Sequence, residues 1–416
     1  MTTAPEPVHE PWWSTLPVVP EDPYADEHLA DPYPLFRRMQ DLAPVVWLAA
    51  HGVAALTRDA ECRQVLRDHE TFISGAGVGP KDLRVEAAWR QQGILELDPP
   101  AHTSLRTAMS AVLSPRGVRS LRSQLVRTAE ELVDDVLGAA PGAGGRTVRL
   151  DGVTDLAEPY PLRAFGDAVG IPRDGRHEHL LPHGAMNFSA FGPDNARSAQ
   201  FFAAGADSRE WVMRNCAREN LAPGGLGWQV WELADRGDIT PTEATLLVRA
   251  MLSAGLDTTV IAIGNALAAL SRRPDAWARL RADPSLVKFA LDEVLRLESP
   301  FQSFYRTVAR EADIGGTTLP ADTKVALFVG AANRDPRRWG PDADAFDLDR
   351  SSAGHLAFGM GIHQCVGQLI SRLEAETLLG LLVARVERLE PLAPGQPFLH
   401  TTLRGWSSLP LALTLA

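Results

Sequence analysis

Residues 356–367 read LAFGMGIHQCVG, with Cys365 set between glycines and His363 two places before it. Glycine admits backbone angles that a side chain forbids, so this is a shaped turn, and a shaped turn around a lone thiol presents its sulfur to something. A thiolate is a nucleophile or a metal ligand, and either role needs partners. A structural zinc takes four ligands, and no CxxC pair is present to add to His363 and Cys365. A hydrolytic cysteine requires a spatial arrangement that sequence neighbourhood does not supply, and GMGIHQ lacks the third glycine of a dinucleotide loop. An axial thiolate on a haem iron is the reading that also accounts for the other unusual residues.

Those residues include a polar group placed where polarity is costly. TPTEATLLVRAMLSAGLDTTVIAIGNALAALSRRP opens with Thr240 as N-cap, Pro241 at the first helical position and Glu243 placed to close a capping box, and Pro274 ends it. A helix over this span is about 50 Å long at 1.5 Å per residue. It is apolar on nearly every side between Leu246 and Leu270, so it runs through the core. Gly255, Asp257, Thr258 and Thr259 sit in its middle. Thr258 either bonds back to a carbonyl one turn earlier or marks a local opening of the helix, a groove for a small ligand with Asp257 as proton source. An acid inside an apolar helix is costly unless it is used or paired.

The elements that must position these groups are mainly helical. Periodicity predicts helices near 32–42, 59–68, 101–113, 116–138, 157–169, 198–219, 226–236, 274–282, 286–298 and 366–386, with short β runs near 45–56, 313–319 and 323–328. The 31 prolines and 34 glycines are spread as punctuation between these stretches, which predicts one large domain over 31–416 after an irregular, Pro-rich arm over 1–30. The fold class expected is mainly α with small β-sheets, crossed by the long central helix. GAAPGAGG at 138–145 reads as a flexible loop.

A net charge of −11 argues against nucleic acid or anionic membrane as a main partner. The N-terminus lacks the pattern of a secretory signal and no long unbroken apolar run occurs, so the expectation is a cytoplasmic protein with no membrane partner. The three cysteines, Cys62, Cys216 and Cys365, imply no disulfide framework, and Cys62 and Cys216 read as packing residues.

The stretch Phe358–Gly367 resembles the haem-binding signature F-G-x-G-x-H-x-C-x-G of the cytochrome P-450 family, fixed at six positions in ten. Further family elements follow the family order along the whole chain. AGLDTT (254–259) is similar to the oxygen-activation segment, EVLR (293–296) to the Glu-x-x-Arg under the haem, HTSLR (102–106) to the propionate-binding helix, and FDLDR (346–350) to the segment that gives Glu293–Arg296 a further arginine. The resemblance implies a haem-thiolate monooxygenase of the cytochrome P-450 fold using O2 and haem b (iron protoporphyrin IX). It implies Cys365 as axial ligand and metal site, with Phe358, His102, Arg106, Arg306 and His363 around the haem and its propionates. It makes Asp257 and Thr258 the family's acid–alcohol pair, which relays protons to the oxygen side of the haem.

Within the family the chain is similar to bacterial enzymes that oxidise para-substituted benzoic acids, on AWRQQGILELDPPAHT (88–103), AFGPDN (190–195), NLAPGG (220–225), LLVRAMLSAGLDTTV (246–260) and TLRGWSSLP (402–410). The resemblance carries a small aromatic acid as substrate, with O-demethylation or hydroxylation as the reaction. Arg90 stands where an arginine helps hold the carboxylate, Ser253 where a serine lines the pocket, and Phe188, Phe191 and Phe304 where rings grip a flat substrate. Gly93 and Ala250 replace pocket serines, a loss of donors worth about 1–3 kcal/mol unless waters or Arg249 compensate. A neutral arene or natural product is therefore the alternative substrate, and a haem-based sensor the alternative outside enzymes. Arg116, Arg119 and Arg122 form a basic face where the family docks an acidic iron–sulfur ferredoxin fed by an NAD(P)H-dependent reductase.

Overall fold

The computed structural model describes residues 11–88, 91–138 and 147–416. The core is organised by the apolar segment anticipated at 240–273. Thr240 caps it as expected: its backbone N–H donates to Glu243 Oε2 at 2.7 Å while its hydroxyl oxygen accepts from the Glu243 N–H at 3.2 Å. The segment forms two consecutive helices, Pro241–Ala254 and Asp257–Ser271, with a break at Gly255 and Leu256. Glycine is required there, because a Cβ on residue 255 would stand 2.6 Å from Cε1 of Phe165. Asp257–Ser271 is buried at every residue but Thr258 and packs against the helices Val287–Glu298 and Gln368–Arg385. The stretch Pro241–Ser271 is long and apolar enough to cross a membrane, yet 72% of its apolar window is buried inside the protein, as a core helix is.

Most of the expected helices form within a few residues of the positions read from periodicity. The helix expected over 198–219 is two, Ala196–Gly205 and Ser208–Asn215. Gly205 at the divide lies so close to Met186 that a Cβ would meet that side chain's Cβ at 2.6 Å. One helix that periodicity did not reveal, Arg176–Ser189, holds Pro182 inside it and three histidines after its first residue, which obscure the apolar pattern.

A six-stranded mixed sheet flanks the helices in the order Val18–Val19, Val46–Leu48, Val53–Leu56, Lys324–Phe328, Ser303–Val308, Phe72–Ile73. A three-stranded sheet and two hairpins complete the β structure. Residues 11–30 correct the irregular arm: they carry the turn Trp12–Thr15, the edge strand Val18–Val19 and the helix Asp26–Ala30. Trp13 stacks on Trp47 with ring centroids 4.8 Å apart and Trp12 meets Trp47 edge-on at 5.8 Å, and this aromatic area outweighs the turn-forming prolines. Residues 1–10 of the arm and 139–145 of the loop lie outside the described residues.

Candidate active site

Cys365 is held by a turn that only this sequence pattern permits. Gly359 and Gly361 have φ of +66° and +73°, and a side chain at 361 would run into the Leu66 carbonyl. The Cys365 N–H donates to the Phe358 carbonyl at 2.8 Å, closing the turn just before the helix Gln368–Arg385. Burial pushes the thiol pKa up, while the N–H groups of Gly367 and Gln368 and the charges of Arg106 and Arg372 pull it down. Cys62 and Cys216 are both fully buried, and burial raises both thiols, Cys216 to about 12. They are inert packing groups.

Four residues expected at haem propionates converge beside Cys365. His102 and His363 pack edge to face with centroids 4.4 Å apart, and the Nε2 atom of each is buried without a hydrogen-bond partner among the described residues. Burial, then the charges of Arg306, His102 and Arg106, holds His363 down to about 3. Arg306 is 4% exposed and donates to the Tyr305 carbonyl at 2.7 Å; burial lowers its pKa to about 10. A cluster of donors and cations, half-buried or buried, with no paired carboxylate among the described residues is incomplete until it receives anions. Two carboxylates from a porphyrin edge fit it. The Phe358 ring lies against the same space, with the Arg372 guanidinium 4.8 Å from its centroid.

Beneath the turn, Glu293 and Arg296 form a wholly buried pair with two bonds of 2.8 Å. Arg350 adds its Nε to Glu293 at 3.2 Å, and the Asp347 N–H donates to the same oxygen at 3.0 Å. Arg296 donates onward to the carbonyls of Asn333 and Ala343, so one ion pair joins three chain segments.

Cys365, His102, Arg106, Arg306 and His363 line a cavity of about 300 Å³. Phe188, Phe191 and Phe304 also line it, together with Phe301, which sequence reading missed and whose ring stacks on Phe304 at 4.0 Å. Only its place three residues before Phe304 could have marked it. Ser253 brings a buried hydroxyl with no hydrogen-bond partner among the described residues to this wall. Arg249 is 8% exposed and donates through Nη2 to the Gln91 carbonyl at 2.9 Å; Gly93 and Ala250 also line the cavity and bring no polar side chain. Arg90 lies outside the described residues.

Thr258 lines the cavity and its hydroxyl donates to the Ala254 carbonyl at 3.0 Å. Thus both anticipated features, the back-bond and the opened helix, occur together. Asp257 points away from the cavity into a buried site, where burial raises its pKa well above the usual carboxylate range and the Glu158 charge raises it further.

The sequence profile of the family described as Cytochrome P-450 matches residues 232–401. The chain is 45% identical over 421 aligned positions to cytochrome p450 CYP199A2 of Rhodopseudomonas palustris, covering 100% of both chains. It is 32% identical to the monooxygenase PikC of Streptomyces venezuelae, over 95% of this chain and 94% of that one. Among solved structures, epothilone D-bound cytochrome P450epoK matches with a TM-score of 0.83 at 25% identity, covering 96% of this chain and 100% of the other. Cytochrome CYP109Q5 from Chondromyces apiculatus matches at 0.77 and 30% identity, covering 96% and 99%. Fold and site define a haem-thiolate monooxygenase with haem b as its cofactor. The chain belongs to the cytochrome P-450 family.

Proposed function

We propose that this monooxygenase oxidises a small planar aromatic acid of the para-substituted benzoate class, by O-demethylation or hydroxylation. The observation that carries the reading is the box of Phe188, Phe191, Phe301 and Phe304 in the lining of a cavity to which Ser253 and Arg249 bring polar groups. Rings offer apolar area with edge and face preferences, and one polar end fixes orientation. Arg90 completes the carboxylate-binding end in this reading.

Cys365 would hold a haem through its thiolate, and haem, when bound, would supply the activation of O2, which thiolate ligation favours. Arg106, Arg306, His102 and His363 would hold the propionates. Phe358 shields the sulfur side from water. Thr258 orients a water at the opened helix, and Asp257 carries protons to it from behind the cavity wall. Electrons come from an iron–sulfur ferredoxin and its NAD(P)H-dependent reductase in the cytoplasm. The exposed Arg116, Arg119 and Arg122 support this, as a cationic face on an acidic protein.

A neutral arene is the second reading, favoured by Gly93 and Ala250 and by the bond that engages Arg249 with Gln91. Titrating the ferric protein with para-substituted benzoates and with neutral arenes of equal size decides between them. Saturable displacement of the haem absorption to high spin by the acids, at lower concentration than by their neutral counterparts, is expected. The reverse ranking overturns the acid.

A further inference from the structure

Asp257 is 6% exposed, and its Oδ2 has no hydrogen-bond partner among the described residues. It lies against the backbone of Gly184. Gly184, inside the helix Arg176–Ser189, lies so close that a methyl group at 184 would overlap Oδ2 and stand 2.6 Å from Cγ. Glycine in a helix interior is otherwise unfavourable relative to alanine, so the space it leaves here has a use. One turn further along the same helix, Phe188 lines the cavity. Residues four apart share a helix face. The face that meets substrate therefore continues to the acid.

We propose that Gly184 is a positioning residue: it forms the seat of the Asp257 carboxyl on the helix that meets substrate at Phe188, so that a substrate packed on Phe188 fixes where the acid stands. The inference rests on the reading of Asp257 as the proton relay. It adds a residue that touches neither substrate nor haem. Helix Arg176–Ser189 packs against both central helices, so a displacement at Phe188 is carried to Gly184 as a rigid movement of one turn.

The test compares Gly184→Ala, Asp257→Ala and the double variant as haem-loaded proteins. Gly184→Ala is expected to lower the melting temperature when Asp257 is present and to be neutral or stabilising in Asp257→Ala, because only the carboxyl fills the seat. In the resting ferric protein, the infrared carboxyl band that disappears in Asp257→Ala is expected to shift in Gly184→Ala, and to shift in the wild type when substrate is added. Product formed per reduced cofactor falls severalfold in Gly184→Ala, while substrate still saturates the haem spectral change. An equal loss of melting temperature with and without Asp257, or a carboxyl band indifferent to Gly184→Ala and to substrate, overturns the proposal. Should Gly184→Ala not fold, recovery of a folded haem protein by adding Asp257→Ala supports the seat, and failure to recover overturns it. Undiminished product yield in Asp257→Ala alone overturns the relay reading and the functional part of the proposal with it. That result is distinct from loss of the seat, in which the single Asp257 variant is impaired and the melting effects add.

Discussion

Thr258 donates its hydroxyl to the Ala254 carbonyl at 3.0 Å, across the break that separates the two central helices. The bond spends the only donor of a hydroxyl that faces the cavity and leaves its lone pairs directed to a ligand or water there. Thr258→Ala removes this group without altering a core contact, so haem content and substrate titration are expected to stay near wild type. Reducing equivalents are expected to leave as peroxide rather than product. Simultaneous assay of cofactor consumed, peroxide and product checks this, and coupling that stays intact contradicts the role given to Thr258.

Arg296 and Glu293 are both fully buried and pair through two hydrogen bonds. Arg296→Leu leaves a buried carboxylate short of its bidentate partner and orphans the carbonyls of Asn333 and Ala343. Breaking such a pair from one side costs about 3–5 kcal/mol. Arg350→Ala is expected to cost much less, since Arg350 is partly exposed and also pairs with Asp342. Urea midpoints and haem retention of the two variants give the ranking.

His400 ties the loop after the strand Gln396–Leu399 to the helix that carries Gly184. Its Nε2–H donates to the Ala185 carbonyl at 2.9 Å, and Nδ1 accepts from the N–H groups of Thr402 and Leu403. Burial lowers its pKa from the ordinary 6.5 to about 4. Below pH 6.5 the unfolded chain therefore takes a proton that the folded ring refuses. Its contribution is whole above 6.5 and is lost as the pH falls to about 4, a decline on the order of 3 kcal/mol. His400→Gln keeps a donor for Ala185 but cannot titrate, so its stability is expected to fall less steeply over that interval. Equal slopes in denaturant melts at stepped pH would remove His400 as the cause.

How much of this was legible before folding depends on whether the cause was local. The cysteine turn was, because Gly359 and Gly361 are dictated by backbone angles that the sequence itself names. The Thr240 cap and Glu293–Arg296 were legible for the same reason, being contacts between residues three apart. The division of the central helix was only half legible: Gly255 and Thr258 announced an opening, but the Phe165 ring packed against Gly255 comes from a distant helix. Helix Arg176–Ser189 was hidden by Pro182 and its histidines, and with it the seat at Gly184. Phe301 and the anchoring of Trp13 on Trp47 are long-range packing, which no pattern within a segment encodes.

Cys365 is the sulfur available to a haem, since Cys62 and Cys216 are sealed in the core. Reduced under carbon monoxide, the wild type is expected to show the strong red displacement of a thiolate opposite the gas. Cys365→His retains a ligand and the propionate partners but loses the anionic sulfur. It is expected to bind haem without that displacement and to lose monooxygenase turnover. A Cys365→His protein with the wild-type carbon monoxide spectrum assigns the ligand elsewhere.

Arg116, Arg119 and Arg122 are exposed on the helix Pro115–Gly138, spaced so that they share one face. The chain as a whole carries −11, so three cations together are a local reversal of its field. An acidic electron donor approaching this face gains from each of them, mainly in its rate of encounter, and salt weakens the gain. Replacing all three with glutamate is expected to slow ferredoxin-dependent reduction at low ionic strength, by at least tenfold on the scale of electrostatic steering, and to bring the rate closer to wild type as salt rises. Haem content, substrate titration and reduction by dithionite, which needs no docking, should be unchanged. Stopped-flow reduction at two salt concentrations makes the comparison, and a variant reduced as fast as the wild type at low salt moves the docking site to another face.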